Sequence, residues 1–322
     1  MTDTSQKKFT LSDDDKPIIF AAAFVVVILA VGTVYTLQTQ GTATLLSPTY
    51  LLQQLQVGSF LGIVAAGMML VILLGHIDLS VPWTIAAAAM MATTVGGPMA
   101  IPIGLAVGLL VGLVNGFGVA YLRIPSMIFT LGVNAVLRGL MVAHTGGFAP
   151  QTAATPLMQY LAVNKIAGIP VALIVWALVS VTIILLLTRS FLGRYIYAVG
   201  NREGAAYLAG VPSRKVIIIA FSLCGMLSGL AGTLLAGYST KAYQGMGDTY
   251  LLPAIAAVVI GGTHILGGRG RYIGTLIGVI LIVLLNSVLS IMQMPEAGRQ
   301  IIYGSVIILM LLVYGRGHKV TQ

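Results

Sequence analysis

The hydrophobic positions of this chain fall into long runs that are separated by short polar segments. Eight runs hold about 20 residues, enough to cross the ~30 Å hydrocarbon core of a bilayer. Two more are too short to cross it alone. Because an unpaired backbone polar group is costly in lipid, such runs must be helices. The predicted helices are Pro17–Leu37, Leu51–Leu74, Trp83–Val95, Met99–Leu122, Ser126–Ala143, Pro170–Thr188, Val216–Gly237, Leu251–Gly262, Tyr272–Ile291 and Gly298–Tyr314.

The overall composition is that of a chain whose main solvent is the bilayer. Of 322 residues, 58% are apolar and 8% are charged, and the mean hydropathy is +1.00, which a soluble domain would not show. The net charge is +9, but the basic residues lie in short loops and not in clusters with aromatic residues, so no nucleic-acid partner is expected. The sequence therefore predicts an all-α integral membrane protein with membrane lipid around it.

The basic residues also predict which side each loop faces. With a cytoplasmic N-terminus and ten crossings, the inner segments carry thirteen Lys and Arg residues and the outer segments three, as the positive-inside rule requires. The inner set is Lys7, Lys8, Lys16, Arg123, Arg189, Arg194, Arg202, Arg214, Lys215, Arg269, Arg271, Arg316 and Lys319, and the outer set is Lys165, Lys241 and Arg299. Arg138 lies within the fifth helix.

These assignments divide the chain into one membrane domain with two cytoplasmic ends. We expect an N-terminal tail at 1–16, a transmembrane domain at 17–314 that includes a cytoplasmic loop at 189–215, and a C-terminal tail at 315–322. The first apolar run lacks a small-residue cleavage site, so it is predicted to be an anchor and not a signal peptide.

A weak internal repeat relates the two halves of the chain. Asp78, Gly104 and Gly108 recur 170 residues later as Asp248, Gly274 and Gly278. Pro82 and Asn115 recur 171 residues later as Pro253 and Asn286. On the predicted topology the two units run in opposite directions, and inverted repeats are typical of transporters.

Four polar side chains within the apolar runs are candidates for a translocation path. Asp78 interrupts a long apolar stretch just before Ser80 and Pro82, which are suited to cap and start the short third helix. A carboxylate in this position either faces a cavity or caps the broken helix. Asn115, Asn134 and Asn286 offer neutral amides that suit a hydroxyl-rich solute, and hydrogen bonding between helices is the alternative role.

The loop at 189–215 is the largest internal cytoplasmic segment, and its middle reads as a short helix. Asn201 is a candidate N-cap, Glu203 falls in the first turn, and Gly210 with Pro212 stops the helix. Its packing side is predicted to consist of Ala205, Ala206, Leu208 and Ala209. Such a helix suits docking to a cytoplasmic subunit, and an amphipathic connector on the membrane surface is the alternative.

The sequence contains no motif for ATP hydrolysis, disulfide formation or metal binding. It contains no phosphate-binding loop of the G-x-x-x-x-G-K-[ST] kind, and the glycines at 267–270 follow no soluble strand, so any ATP must be hydrolysed by a partner. The single Cys224 lies in an apolar run and indicates neither a disulfide nor a cysteine metal site. We therefore expect no catalytic residue, metal or cofactor.

Three motifs in order resemble the ribose/galactose/arabinose-type ABC importer permeases. They are GHIDLSV at 75–81, GRYIYAVGNREGAAYLAGV at 193–211, and AIAAVVIGG at 254–262 followed by LGGRG at 266–270. The resemblance extends from about Pro17 to Tyr314. Two positions beside Asp78 depart from it, because His76 stands where family members usually have Gly, and Pro82 where they often have Gly or Ala.

The resemblance implies an all-helical permease of the bacterial inner membrane that is not itself an enzyme. It implies three partners: a second permease chain, identical or related, a cytoplasmic ABC ATPase, and a periplasmic solute-binding protein. Asn201 to Gly210 match the family's ATPase-coupling helix. The mechanism that follows is alternating access, in which closure of the ATPase repacks the helices.

Two other classes of protein remain as alternatives. An ion-coupled secondary transporter acting alone would fit the inverted repeat, but it would need ion-coupling groups within the membrane. A membrane enzyme would need clustered catalytic groups, whereas four of the eight carboxylates lie in the N-terminal tail.

Overall fold

The computed structural model describes residues 16–148 and 152–315, and this part of the chain is almost entirely helical. Its helices are α1 (Lys16–Gln40), α2 (Pro48–Ile72), α3 (Val81–Val95), α4 (Ala100–Ala120), α5 (Ser126–His144), α6 (Pro156–Val163), α7 (Val171–Arg189), α8 (Phe191–Asn201), α9 (Glu203–Leu208), α10 (Ser213–Tyr238), α11 (Leu251–Ile260), α12 (Tyr272–Ile291) and α13 (Glu296–Gly315). The strands β1 (Lys165–Ile166) and β2 (Ile169–Pro170) form an antiparallel hairpin. Most of the two predicted tails lies outside the described residues.

The prediction of an all-α membrane protein is confirmed. Seven helices of the described part are long and apolar enough to cross a bilayer, namely Pro17–Thr39, Pro48–Ile72, Gly97–Ala120, Ser126–His144, Val171–Arg189, Ser213–Tyr238 and Tyr272–Ile291. Val81–Val95 and Asp248–Ile260 are shorter apolar helices. All ten predicted helices are present, with ends that differ from the prediction by a few residues.

Two helices, α2 and α10, form the centre of the molecule. The most apolar stretch of α2 is 89% buried and that of α10 is 72% buried, whereas the corresponding stretches of α1 and α5 are only 17% buried. α2 packs against α7, α10, α11 and α12, and α10 packs against α3, α4 and α6. α1 and α5 therefore turn most of their apolar surface outward.

Glycines let α4 approach α10 closely. Gly104, Gly108 and Gly112 lie one turn apart on α4, opposite Gly225 and Gly229 of α10. A Cβ at Gly108 would overlap the carbonyl oxygen of Gly225, and a Cβ at Gly229 would overlap that of Gly104. Small residues at this spacing bring helix backbones together where the hydrophobic effect gives no drive to associate.

The two short helices α3 and α11 are each preceded by a non-helical segment. The segment 73–80 connects α2 to α3, and the segment 239–250, which ends in a 3-10 turn at Asp248–Tyr250, connects α10 to α11. These two regions meet, because Gly247 lies directly against the carbonyl group of Pro82 at the start of α3. Residues from both halves of the chain therefore surround the start of α3.

Three elements were not predicted. α6 and the hairpin occupy the loop between α5 and α7, where the Gln56 side chain anchors α6 to α2 by donating a hydrogen bond to the carbonyl of Ala162 at 2.8 Å. α8 occupies the first half of the predicted cytoplasmic loop. These elements are short or amphipathic, so they leave no apolar run of bilayer length in the sequence.

Candidate functional site

Asp78 lies in a closed polar cluster with Ser80 and Asn115. One carboxylate oxygen accepts hydrogen bonds from the Ser80 backbone N–H at 2.9 Å and from the Ser80 hydroxyl at 2.6 Å. The Asn115 amide donates to both Asp78 oxygens, at 3.2 and 3.3 Å, and to the Ser80 hydroxyl at 2.7 Å. Asp78 is 1% exposed and Asn115 0%, so neither side chain reaches an open cavity in this conformation.

The prediction that Ser80 caps α3 is wrong for its side chain. Ser80 is the residue before the first turn, but its hydroxyl makes no capping hydrogen bond and donates to Asp78 instead. Pro82 does lie in the first turn as expected. A buried carboxylate needs donors more than a helix end does, because an unpaired charge is costlier to bury than an unpaired N–H group.

α5 satisfies backbone groups that the break before α3 leaves unpaired. The N–H of Leu79 donates to the Thr130 hydroxyl at 2.9 Å, and the N–H of Ile77 donates to the Ser126 hydroxyl at 3.4 Å. One turn further along, the Asn134 side-chain oxygen accepts from the N–H of Trp83 at 3.3 Å. Irregular backbone is tolerated at membrane depth where neighbouring helices supply such partners.

Asn134 lies beside a charged residue that faces outward. The Arg138 guanidinium lies over the indole ring of Trp83, 5.9 Å from its centroid, and the Arg138 side chain is exposed. Asn134, one turn before Arg138, is half-buried. This arrangement joins α5 to the start of α3 at Trp83, next to the Pro82 that Gly247 contacts.

Asn286 lies in a different place, at a cavity of about 200 Å³ between α2, α11, α12 and α13. Its side-chain oxygen accepts a hydrogen bond from Arg299 at 3.0 Å. Gln54, Tyr250, Glu296 and Tyr303 also line the cavity. Of the four predicted path residues, the structure thus brings only Asp78 and Asn115 into direct contact.

The predicted coupling helix is divided differently from the expectation. Asn201 is the last residue of α8 and not an N-cap, and the residue before α9 is Arg202, whose side chain makes no capping hydrogen bond. Gly210 ends the segment as predicted, with φ of +83°, a conformation that favours glycine. The sequence suggested a cap at Asn201 because the amphipathic α8 before it was not recognised.

The predicted packing side of this helix is also wrong. Only Ala206 is buried, whereas Ala205 and Ala209 are exposed and Leu208 is 88% exposed. Tyr207 beside it is 70% exposed. The six-residue helix α9 therefore packs against the rest of the fold through Ala206 and exposes its larger apolar side chains, Tyr207 and Leu208.

α8 and α9 are attached to three other segments of the fold. Glu203 forms an ion pair with Arg123, in the turn between α4 and α5, at 2.6 Å. Gly200 packs directly against the carbonyl oxygen of Leu73 at the end of α2, and that oxygen also accepts from the N–H of Gly268 at 2.9 Å. The Tyr197 hydroxyl donates to the carbonyl of Gly270 at 2.8 Å.

His76 lies close to this junction, between Leu73 and Asp78. Burial lowers the pKa of His76, Glu203 raises it in part, and Arg123 lowers it further.

Residues 50–311 match the family model described as a branched-chain amino acid transport system / permease component. The chain belongs to this permease family. The match covers all of the candidate site residues, and it starts two residues into α2.

Similar proteins of this permease family include import permeases for two kinds of solute. The ribose import permease protein RbsC of Bacillus subtilis (strain 168) is 38% identical over 83% of this chain and 85% of its own length. RbsC of Escherichia coli (strain K12) is 35% identical over 82% and 84%. The autoinducer 2 import system permease protein LsrD of Yersinia enterocolitica is 30% identical over 80% of each chain. No solved structure matches the chain.

The family and the helices together establish a multi-pass protein of the inner membrane. Sequence reasoning missed several residues of the permease that the structure makes prominent. Arg138 was noted only as an intramembrane residue and Asp248 only as part of the repeat. Tyr207 and Leu208 carried one signal, an aromatic and a large aliphatic residue among alanines, but Leu208 was assigned to packing and Tyr207 to no role.

Proposed function

We propose that the permease is the membrane-spanning subunit of an ATP-binding-cassette importer for a monosaccharide or a similar small polar solute. The proposal is supported by the relatives whose names specify ribose import and autoinducer 2 import. It also fits a chain without a phosphate-binding loop, since ATP hydrolysis then falls to a separate subunit. Alternating access, driven by that subunit, moves the solute.

The topology that goes with this function has ten crossings, an inverted repeat and two cytoplasmic ends. Three segments predicted to be cytoplasmic meet near the end of α2, since Glu203 pairs with Arg123 while Gly200 and Gly268 both contact Leu73. The order of elements supports the repeat, because α2, α3, α4 and α5 correspond to α10, α11, α12 and α13. In each half, a long interior helix is followed by a short one.

The ATPase docks on α9. The observation that carries this assignment is the exposure of Tyr207 and Leu208, at 70% and 88%, on a short helix at the predicted cytoplasmic face. Large apolar side chains that protrude together mark an interaction site more often than an ordinary surface. Because Gly200 is packed against Leu73, a push on α8 and α9 acts directly on the end of α2.

The solute path runs past Asn134 and the Asn286 cavity, where amides lie beside exposed surface or open volume. Asp78 and Asn115 are buried and do not line this path; their hydrogen bonds hold the segment before α3 in place. A second permease chain completes the path, and a periplasmic binding protein delivers the solute from outside. A weak polar path suffices, because the binding protein can supply the affinity.

Docking is tested by Leu208→Glu with co-purification of the cognate ABC ATPase. We expect the permease to lose the ATPase, because a carboxylate cannot enter an apolar pocket without a partner. Phe148→Glu is the matched control, since Phe148 is 76% exposed but lies at the opposite, predicted outer end of α5. It should leave the complex intact.

Two results would count against the proposal. Co-purification that survives Leu208→Glu would remove α9 from the docking site. ATP-independent uptake by the permease alone, in vesicles that carry an ion gradient, would favour a secondary transporter.

A further inference from the structure

α5 and α1 expose similar shares of their surface but differ in what they expose. The most apolar stretches of both helices are only 17% buried, yet their mean hydropathies are 1.6 and 2.7. α5 has the lowest hydropathy of the seven candidate spans in the described residues. The outward face of α1 therefore suits lipid, whereas that of α5 is the least suited to it.

Arg138 is the main reason that α5 fits lipid poorly. It stands twelve residues after the start of α5 and six before its end, which places it about 18 Å from one end and about 9 Å from the other. Helical side chains point toward the N-terminus, so Arg138 points away from its nearer end and cannot easily reach that interface. A charged side chain at such depth faces a cavity or a partner group.

The surroundings of Arg138 leave its donors free. Its guanidinium lies over the ring of Trp83, and no described residue accepts a hydrogen bond from it. Asp248 follows Gly247, which packs against Pro82, the residue before Trp83, so the chain brings Asp248 to the part of α3 over which Arg138 lies. The described side chains form no ion pair between Arg138 and Asp248 within 4.0 Å.

We infer that Arg138, Asn134 and Asp248 form a contact site for an uncharged, polyhydroxylated solute on the α5 face of a water-filled path. This inference deepens the proposed function and rests on it. The guanidinium donates to solute oxygens, the carboxylate accepts from solute hydroxyls, and the amide of Asn134 does both. The opposite charges of Arg138 and Asp248 balance, so the site carries no net charge that would favour an ionised solute over a neutral sugar.

The water-filled face is tested by cysteine accessibility in a Cys224→Ala background, which removes the native thiol of the chain. Ala135→Cys lies at the middle of α5, one turn from Arg138, and Ala30→Cys lies near the middle of α1; both positions are exposed. With the assembled importer in vesicles, a charged, water-soluble thiol reagent should modify Ala135→Cys at least ten-fold faster. Equally slow modification at both positions would overturn the inference.

The solute contact is tested by ATP-driven uptake of labelled ribose, galactose or arabinose, using whichever the wild-type importer transports. Arg138→Gln should lower uptake at least ten-fold, and Arg138→Lys should not restore it, because an ammonium group lacks the planar fork of donors. Lys165→Gln, in the exposed hairpin, is the control and should transport normally. Co-purification with the ATPase and thermal stability should be unchanged in all three variants.

The outcomes separate the two proposals. Normal uptake by Arg138→Gln would overturn this inference alone and leave the importer intact. Failure of the wild type to take up any neutral sugar with ATP would overturn the proposed function as well. Loss of thermal stability in Arg138→Gln together with lost uptake would assign Arg138 a structural role and also contradict the inference.

Discussion

At the scale of single residues, the permease pairs its buried polar groups closely. Asp78 receives donors from Ser80 and Asn115, and Gln56 bonds to the carbonyl of Ala162. The side-chain oxygen of Asn115 is an exception, since it is buried and has no partner among the described residues. A low-dielectric interior makes each such pairing matter, because an unpaired buried group loses its solvation without compensation.

Removing the Asp78 carboxylate should therefore destabilise the fold. Asp78→Ala leaves the Ser80 N–H, the Ser80 hydroxyl and the Asn115 amide without their shared acceptor. We expect a loss of about 1–3 kcal/mol in the free energy of unfolding, the usual cost of stranding buried polar groups. Thermal unfolding in detergent measures it, as a lower melting temperature than that of the wild type.

Thr182→Ala is the control for this prediction, because the Thr182 hydroxyl bonds only to the Leu178 carbonyl of its own helix and is exposed. Its melting temperature should stay near that of the wild type. If Asp78→Ala melts normally but no longer transports, the carboxylate acts on the solute and not on the fold.

Residue roles were predictable only where they depend on local sequence. Gly210 was identified correctly, since a glycine after a short helical stretch is a local signal for a positive φ. Asn201 was misjudged because its role depends on whether the preceding residues are helical. The contact of Gly247 with Pro82, which brings Asp248 toward the start of α3, joins positions 165 residues apart, and no local pattern in the sequence predicts it.

At the scale of elements, hydropathy predicted the membrane helices well because charged loops bound the apolar runs. It missed α8, in which Ile196 and Val199 are buried while Arg194 is exposed. An amphipathic helix of this length differs little in mean hydropathy from a polar loop. The consequence is functional, because α8 carries Gly200, which joins the coupling segment to α2.

Gly200→Ala should disrupt this junction. An added Cβ would overlap the carbonyl oxygen of Leu73 and would lie 2.8 Å from the backbone nitrogen of Gly268, and neither group can move without shifting its helix or turn. Gly204→Ala is the matched control, four residues further on, where an added Cβ meets nothing within 4 Å. ATP-driven uptake by the assembled importer should fall at least ten-fold in the first variant and stay normal in the second.

Normal uptake by both variants would show that the contact between Gly200 and Leu73 is not needed for coupling. A drop in both would point to the flexibility of the segment or to an ATPase contact on α9. Because alanine favours helix over glycine by about 1 kcal/mol, propensity by itself should not harm either variant.

At the scale of the whole molecule, the charge distribution and the packing group the same three segments by independent routes. The positive-inside rule places the turn at Arg123, the loop at 189–215 and the turn at 263–271 on one side. The contacts of Glu203 with Arg123 and of Gly200 with Gly268 bring these same segments together. Because α3 and α11 are each too short to span a bilayer alone, the prediction that they cross rests on the charge distribution and not on their length.

Single cysteines at the turns that follow these two short helices decide between ten crossings and eight. Met99 lies between α3 and α4 and is 61% exposed, and Leu266 lies between α11 and α12 and is 76% exposed. If both short helices complete a crossing, a membrane-impermeant thiol reagent applied to intact spheroplasts in a Cys224→Ala background should modify Met99→Cys. Leu266→Cys should react only after permeabilisation. If both helices instead returned to the side they left, Met99 and Leu266 would both lie inside, and neither cysteine would react before permeabilisation. Exchanged results, with Leu266→Cys modified and Met99→Cys protected, would mean that only α11 crosses. Modification of both cysteines from outside would mean that only α3 crosses, and the two halves of the permease would then not be related by an inverted repeat.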